Sequence, residues 1–362
     1  MAAAALLAVT SSAFSQAATK NSVVQHSLQP HSVRTSLHNS SEERLSPAPE
    51  SRLEKPQDIC LGKISSAVAS IAACNTTIEA SAGRRNVLAP ALSRRAEAHR
   101  LQGDADAAIA DFDRAIKLEP KKADSFVGRG LVYLDQRDTE RAIRDFSQAV
   151  TLNSRHAAAF QNRAQAHRAA GDLRRSLQDY DLLIRINPKD AQAYYQRGLV
   201  AQELREFGRA LDDFGKMTEI ERDNVQGYYN RGLVLTEMRR YERAIRELDH
   251  AINVRPDYAP AFNVRGMAYL AIGETRRSLQ DFDQAIQLDS QFAKAFINRG
   301  NTHQSLRRYD RSFADYSAAV EINPKDAYSL YSRGLTRRAL GHEDDAQVDI
   351  SRANELEPGI GP

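Results

Sequence analysis

Eight arginines recur every 34 residues, at Arg95, Arg129, Arg163, Arg197, Arg231, Arg265, Arg299 and Arg333, and an acid follows each by sixteen residues: Asp111, Asp145, Asp179, Asp213, Glu247, Asp281, Asp315 and Asp349. A column of guanidinium groups is a candidate anion site. A site needs a local difference, however, and this column is the same in every unit with a matching acid each time. The reading is therefore structural: each arginine packs its stem between helices and pairs with an acid on a second helix, within or between units. His99, His167 and His303 occupy the place that Tyr133 and Tyr269 hold in other units, which points to packing. No two histidines have metal-site spacing with a third ligand, and neither a glycine-rich phosphate loop nor a nucleophile elbow is present. The expectation is no catalytic residue, no metal and no cofactor.

Cys60 and Cys74 are the only cysteines. One straight helix through both would hold them ~20 Å apart, beyond the reach of a disulfide. Gly62 permits a turn, so Cys60 has a way to fold back beside Cys74. The even count favours a disulfide if the chain is exported; the alternative is two buried thiols in a cytosolic protein. The apolar run Ala2 to Val9, followed by the small residues Ser15 and Ala17, suggests a signal peptide over 1–17. No Lys or Arg precedes that run, so a disordered tail or an organellar transit peptide stay open. Periplasmic or secreted location is expected, with cytoplasmic or organellar location as the alternative. Residues 18–57, rich in Ser, Pro, Asn, Gln and His, read as a disordered linker. Beyond the first residues no run is long and apolar enough to span a bilayer. The 50 basic and 47 acidic residues, net +3, are interleaved along the chain, which argues against a nucleic-acid partner.

The elements that position these residues are set by the same 34-residue period. YYQRGLVAQELREFGRALDDFGKM at Tyr194 returns as YYNRGLVLTEMRRYERAIRELDHA at Tyr228. Eight units follow without insertion, at 89–122, 123–156, 157–190, 191–224, 225–258, 259–292, 293–326 and 327–360. In the unit at Ala191, Tyr194, Gly198 and Ala201 fall on one helical face, and Ala210, Phe214 and Met217 on another. Pro188 ends the preceding helix, and Asp190 is placed to cap the next.

A small residue in the first helix (Ala96, Gly130, Gly198, Gly266), a small residue early in the second (Ala108, Ala142, Ala210) and an aromatic four residues on (Phe112, Phe146, Phe214) resemble the tetratricopeptide repeat, TPR. That resemblance implies an all-α fold, a right-handed α-α superhelix (a TPR solenoid) of eight 34-residue helix-turn-helix repeats. It also implies protein or peptide binding in a concave groove lined by the first helices. The Asn-Arg-Gly and Gln-Arg-Gly phrases resemble exported bacterial TPR proteins.

First-helix residues opposite the packing face are expected to line that groove: Gln161, Asn162 and Gln165; Gln192, Tyr195, Gln196 and Gln202; Gln226, Tyr229 and Asn230; Asn263; then Asn298, Asn301 and Gln304. Asn162, Gln196, Asn230 and Asn298 each precede a column arginine. An amide carries donor and acceptor together, so such a ladder suits the backbone of an extended peptide. It resembles the asparagine ladder in the TPR superhelix of a protein O-GlcNAc transferase. The alternative is solvated amides or local bonds between repeats, and the second functional reading is a self-associating scaffold. At the ends, 58–88 is expected to cap the array on its N-terminal side, with Ala67, Val68, Ile71, Cys74 and Ile78 on one face. The eighth unit caps the other side, carrying Gln347 and Asn354 where earlier units are apolar.

Overall fold

The computed structural model describes Cys60, Gly62 and residues 66–81 and 83–360. The expected signal segment 1–17 and linker 18–57 lie outside the described residues. The described residues form helices joined by tight turns, in two compact units that divide after Pro120.

The first unit holds α1 (Ala67–Ala80), α2 (Arg85–Leu101) and α3 (Ala105–Leu118). Cys60 and Cys74 are joined by a disulfide, their Cα atoms 4.7 Å apart, and both are buried. The buried side of α1 runs through Ser70, Cys74 and Thr77. Val68, which the apolar pattern places inward, is 68% exposed: small polar side chains, not the larger apolar ones, fit the close approach of α1 to α2. Thr77 satisfies its hydroxyl on the Ala73 carbonyl, 2.8 Å away. α2 begins at Arg85, four residues before the period puts its repeat, directly after a turn in which Gly83 has φ +75°. Cross-linking across a loop of this length removes about 3 kcal/mol of chain entropy from the unfolded state. Reduction is therefore expected to collapse amide-exchange protection in α1 and to lower it in α2. Unchanged protection after reduction would contradict a stabilising bond.

The second unit is seven helix pairs: α4 (Ala123–Asp135) with α5 (Thr139–Leu152), α6 (Ala157–Ala169) with α7 (Leu173–Ile186), α8 (Ala191–Glu203) with α9 (Phe207–Ile220), α10 (Val225–Glu237) with α11 (Tyr241–Val254), α12 (Ala259–Ala271) with α13 (Thr275–Leu288), α14 (Ala293–Ser305) with α15 (Tyr309–Ile322), and α16 (Ala327–Ala339) with α17 (Glu343–Leu356). Six of the seven pairs close over a glycine, and the α6–α7 pair over Ala164. A Cβ on Gly130 would stand 2.6 Å from the Phe146 ring, and one on Gly198 2.8 Å from Phe214. Phe146, Tyr180, Phe214, Phe282 and Tyr316 are fully buried in this way, with Leu248 in the same role in the fifth repeat.

Each first helix ends in a Schellman turn. The Asp138 amide donates to the Tyr133 carbonyl at 2.8 Å, and Asp172 to His167 at 2.8 Å. The turn needs one left-handed residue. Gly171, Gly273 and Gly341 supply it in three pairs, but Arg137, Arg205, Arg239 and Arg307 take φ of 57–61° in the others, a conformation that costs a side-chain-bearing residue about 1–2 kcal/mol. Asp138 and Asp172 then cap α5 and α7 by accepting from the Arg141 and Arg175 amides. Asp190 caps α8 through the Ala193 amide.

The arginine column is paired throughout. Arg163 donates through Nε and Nη2 to both oxygens of Asp179 at 2.9 and 2.6 Å, and Arg265 to Asp281 at 2.8 and 2.7 Å. The remaining nitrogen crosses to the previous repeat: Arg197 Nη1 meets Asp181 at 2.7 Å, Arg265 Nη1 meets Asp249 at 2.6 Å, and Arg299 Nη1 meets Asp283 at 2.7 Å. Each of these arginines thus binds three helices. In the fifth repeat the crossing partner is Gly215, and Arg231 keeps its bond to Glu247 but leaves a buried Nε without a partner. In the first unit Arg95 pairs with Asp111 and reaches Asn75 on α1, so α1 stands where a preceding second helix would.

Candidate peptide-binding face of the first helices

First helices of successive repeats are joined along one side by contacts spaced 35 residues apart. Arg168 on α6 pairs with Glu203 on α8. Gln202 Nε2 donates to Glu237 on α10 at 2.5 Å. Asn298 Nδ2 on α14 donates to Asn263 Oδ1 on α12 at 2.9 Å. The Tyr195 phenol lies in hydrogen-bond reach of Asn230, one repeat on. The spacing is the 34-residue period plus one, the offset at which side chains on neighbouring, slightly rotated helices meet. The result is a polar strip across α6, α8 and α10, with a further contact between α12 and α14.

The expected groove residues fall into three groups along it. Gln192 and Gln226 are exposed, and Gln161, Asn162, Gln165 and Gln196 are half-buried. Tyr195 and Tyr229 are half-buried aromatic floor. Tyr195 packs on Phe214 with ring centroids 6.2 Å apart, and Tyr229 meets Tyr258 edge-on at 5.4 Å. Burial pushes the phenols of Tyr195, Tyr229 and Tyr258 above their ordinary range, so all three stay protonated and available as donors. Asn230 and Asn263 are buried. Asn230 donates to the Gln226 carbonyl at 2.7 Å, and Asn263 accepts from Asn298, so these amides are engaged within the protein.

Asn301 belongs to a cluster that the period does not announce. The phenols of Tyr316 and Tyr328 approach its Oδ1 at 2.5 and 3.1 Å, and Tyr316 also approaches Gln304 Oε1 at 2.7 Å. One phenol proton serves one acceptor, so one of the two amides must present its NH₂ to Tyr316. Tyr258, Tyr316 and Tyr328 were not among the expected groove residues. Tyr328 stands at the place of Gln192 and Gln226, so its position in the repeat was the signal; Tyr316 stands at the place of Phe146 and Phe214, which the repeat marks as packing.

His167 and His303 are buried, and burial lowers their pKa, keeping the rings neutral. Among the described residues no three His, Cys, Asp or Glu side chains are placed to hold a metal ion, and no helix is long and apolar enough to cross a membrane.

Comparison with known families agrees with the repeat. The tetratricopeptide repeat model matches residues 127–191, 162–224, 229–293 and 263–327, and a second TPR repeat model matches 96–137. The chain belongs to the tetratricopeptide repeat family and is built of its helix-turn-helix repeats. A tetratricopeptide repeat protein from Parabacteroides merdae is similar in fold, with TM-score 0.54 at 19% identity over 72% of this chain and 100% of its own. The C-terminal part of a TPR repeat-containing protein from Cytophaga hutchinsonii is similar with TM-score 0.55 at 13% identity, over 66% of this chain and 98% of its own. No curated protein sequence gives a significant match.

Proposed function

We propose that this chain is a non-enzymatic interaction scaffold that holds an extended segment of a partner protein against the first helices of α6, α8 and α10. The observation that carries this reading is the strip itself. Exposed Gln192 and Gln226 stand beside the half-buried rings of Tyr195 and Tyr229, giving amides for a peptide backbone and aromatic faces for its side chains. Asn162, Gln161, Gln165 and Gln196 extend the same surface, whereas Asn263, Asn298 and Asn301 serve mainly to fix the neighbouring helices. The Cys60–Cys74 bond favours an oxidising compartment and so an exported protein.

Peptides selected from a random display library on the purified protein test it. A double substitution Tyr195→Ala, Gln192→Ala is expected to weaken the selected peptides by about tenfold or more, since buried aromatic anchors dominate such interfaces. Equal affinity for the variant would place the site elsewhere. Self-association is the second reading, favoured by Val348 and Leu356 on α17, 66% and 43% exposed. A dimer in sedimentation that Val348→Glu dissociates would support it.

A further inference from the structure

Two turns of the second unit place an arginine pair at the two positions that govern the turn. Between α10 and α11 the chain reads Arg239-Arg240, and between α14 and α15 Arg307-Arg308. The first arginine of each pair holds the left-handed conformation, with φ of 58° and 57°, as Arg137 and Arg205 do in two other turns, where the remaining three have Gly171, Gly273 or Gly341. The second is the N-cap of the following helix and provides no side-chain acceptor, where Asp138 and Asp172 accept backbone amides in earlier repeats. A fixed positive charge there also opposes the partial positive charge of the helix N-terminus. Four arginines thus replace the glycine and aspartate that the chain uses in its own equivalent turns, each against local stability. Local conflict of this kind concentrates where function dictates the residue.

The four do not stand alone. Arg243 and Arg311 follow one turn later on α11 and α15, and Arg276 comes from the start of α13 between them, so three consecutive repeats present guanidinium groups along one edge. All seven are exposed, and none forms an ion pair among the described residues, in contrast to the fully paired column. Glu242, Glu274 and Asp310 in the same turns are outnumbered. We propose that this edge, distinct from the first-helix strip, binds an acidic segment of a protein partner, its carboxylates engaged by forked arginine donors. Nucleic acid fits less well: Tyr241 packs against the core of its repeat, and neither it nor Tyr309 is an exposed ring of the kind that stacks successive bases.

The test uses the full chain, with a labelled short polyglutamate peptide and a labelled single-stranded oligonucleotide as probes in fluorescence anisotropy. The variant Arg239→Gly, Arg240→Asp, Arg307→Gly, Arg308→Asp copies the native Gly171-Asp172 turn at both places. It is expected to melt at a higher temperature than the native chain and to bind polyglutamate about tenfold or more weakly, with the native affinity falling as salt rises. Arg243→Gln with Arg311→Gln, both on exposed helix positions, gives the same binding loss should the fourfold variant misfold. Native-strength binding by either variant overturns the proposal. So does a native chain that ignores polyglutamate, or one that takes up the oligonucleotide and not the peptide.

Discussion

Arg265→Ala is expected to lower the stability of the second unit by about 2–4 kcal/mol, because truncation leaves the Asp281 carboxylate with its solvation already lost. The side chains of Arg265 and Asp281 are 18% and 8% exposed, and the guanidinium also holds Asp249 of the previous repeat. Burial pushes the Asp281 carboxyl above the ordinary range, with the arginine pulling against it. A lone carboxylate there is therefore poorly tolerated. The double variant Arg265→Leu, Asp281→Leu is expected to recover much of the loss, since a well-packed apolar pair replaces an ion pair at little net cost. Denaturant titration of the native chain, both single variants and the double gives the coupling directly. Equal losses for the double and the sum of the singles would show that the pair is not coupled.

Phe214→Ala is expected to cost about 3–5 kcal/mol. The ring is fully buried, closes over Gly198 and supports Tyr195 from beneath. The loss thus has a functional component as well as a structural one, because a cavity under Tyr195 releases the floor of the proposed strip. Phe214→Leu should lose far less, as Leu248 fills the same place against Gly232 in the next repeat. Calorimetry on the two variants separates these outcomes; a mild alanine variant would mean that the pair closes up by moving its helices.

These two positions were also the most legible in the sequence. A fixed spacing of sixteen marks Arg265 and Asp281 as partners on different helices, and periodicity puts Gly198 and Phe214 on the packing faces of the two helices of one repeat. The second partner of Arg265 was less legible, since Asp249 and Asp281 become neighbours only when repeats stack. The same holds for the amides. Asn230 and Asn298 occupy ladder positions and Asn263 stands one residue off, but which amides face outward depends on helix rotation. The inward turn of Ser70 and Thr77 in place of Val68 follows from the close packing of α1, which apolar patterning does not register. Charge showed the widest gap: along the chain the signs interleave, which gives no sign of the exposed arginine pairs at the turns of the fifth and seventh repeats.

The central claim is that partners engage the first helices. A photo-crosslinking amino acid at Gln192 or Gln226, both exposed on the strip, tests it directly against the same group at Lys216, exposed on the second helix α9. Irradiation of cells expressing each variant, followed by mass spectrometry of the adducts, should give defined adducts to one or a few proteins from positions 192 and 226 and none from 216. Adducts from 216 alone, or the same adducts from all three positions, would contradict the account.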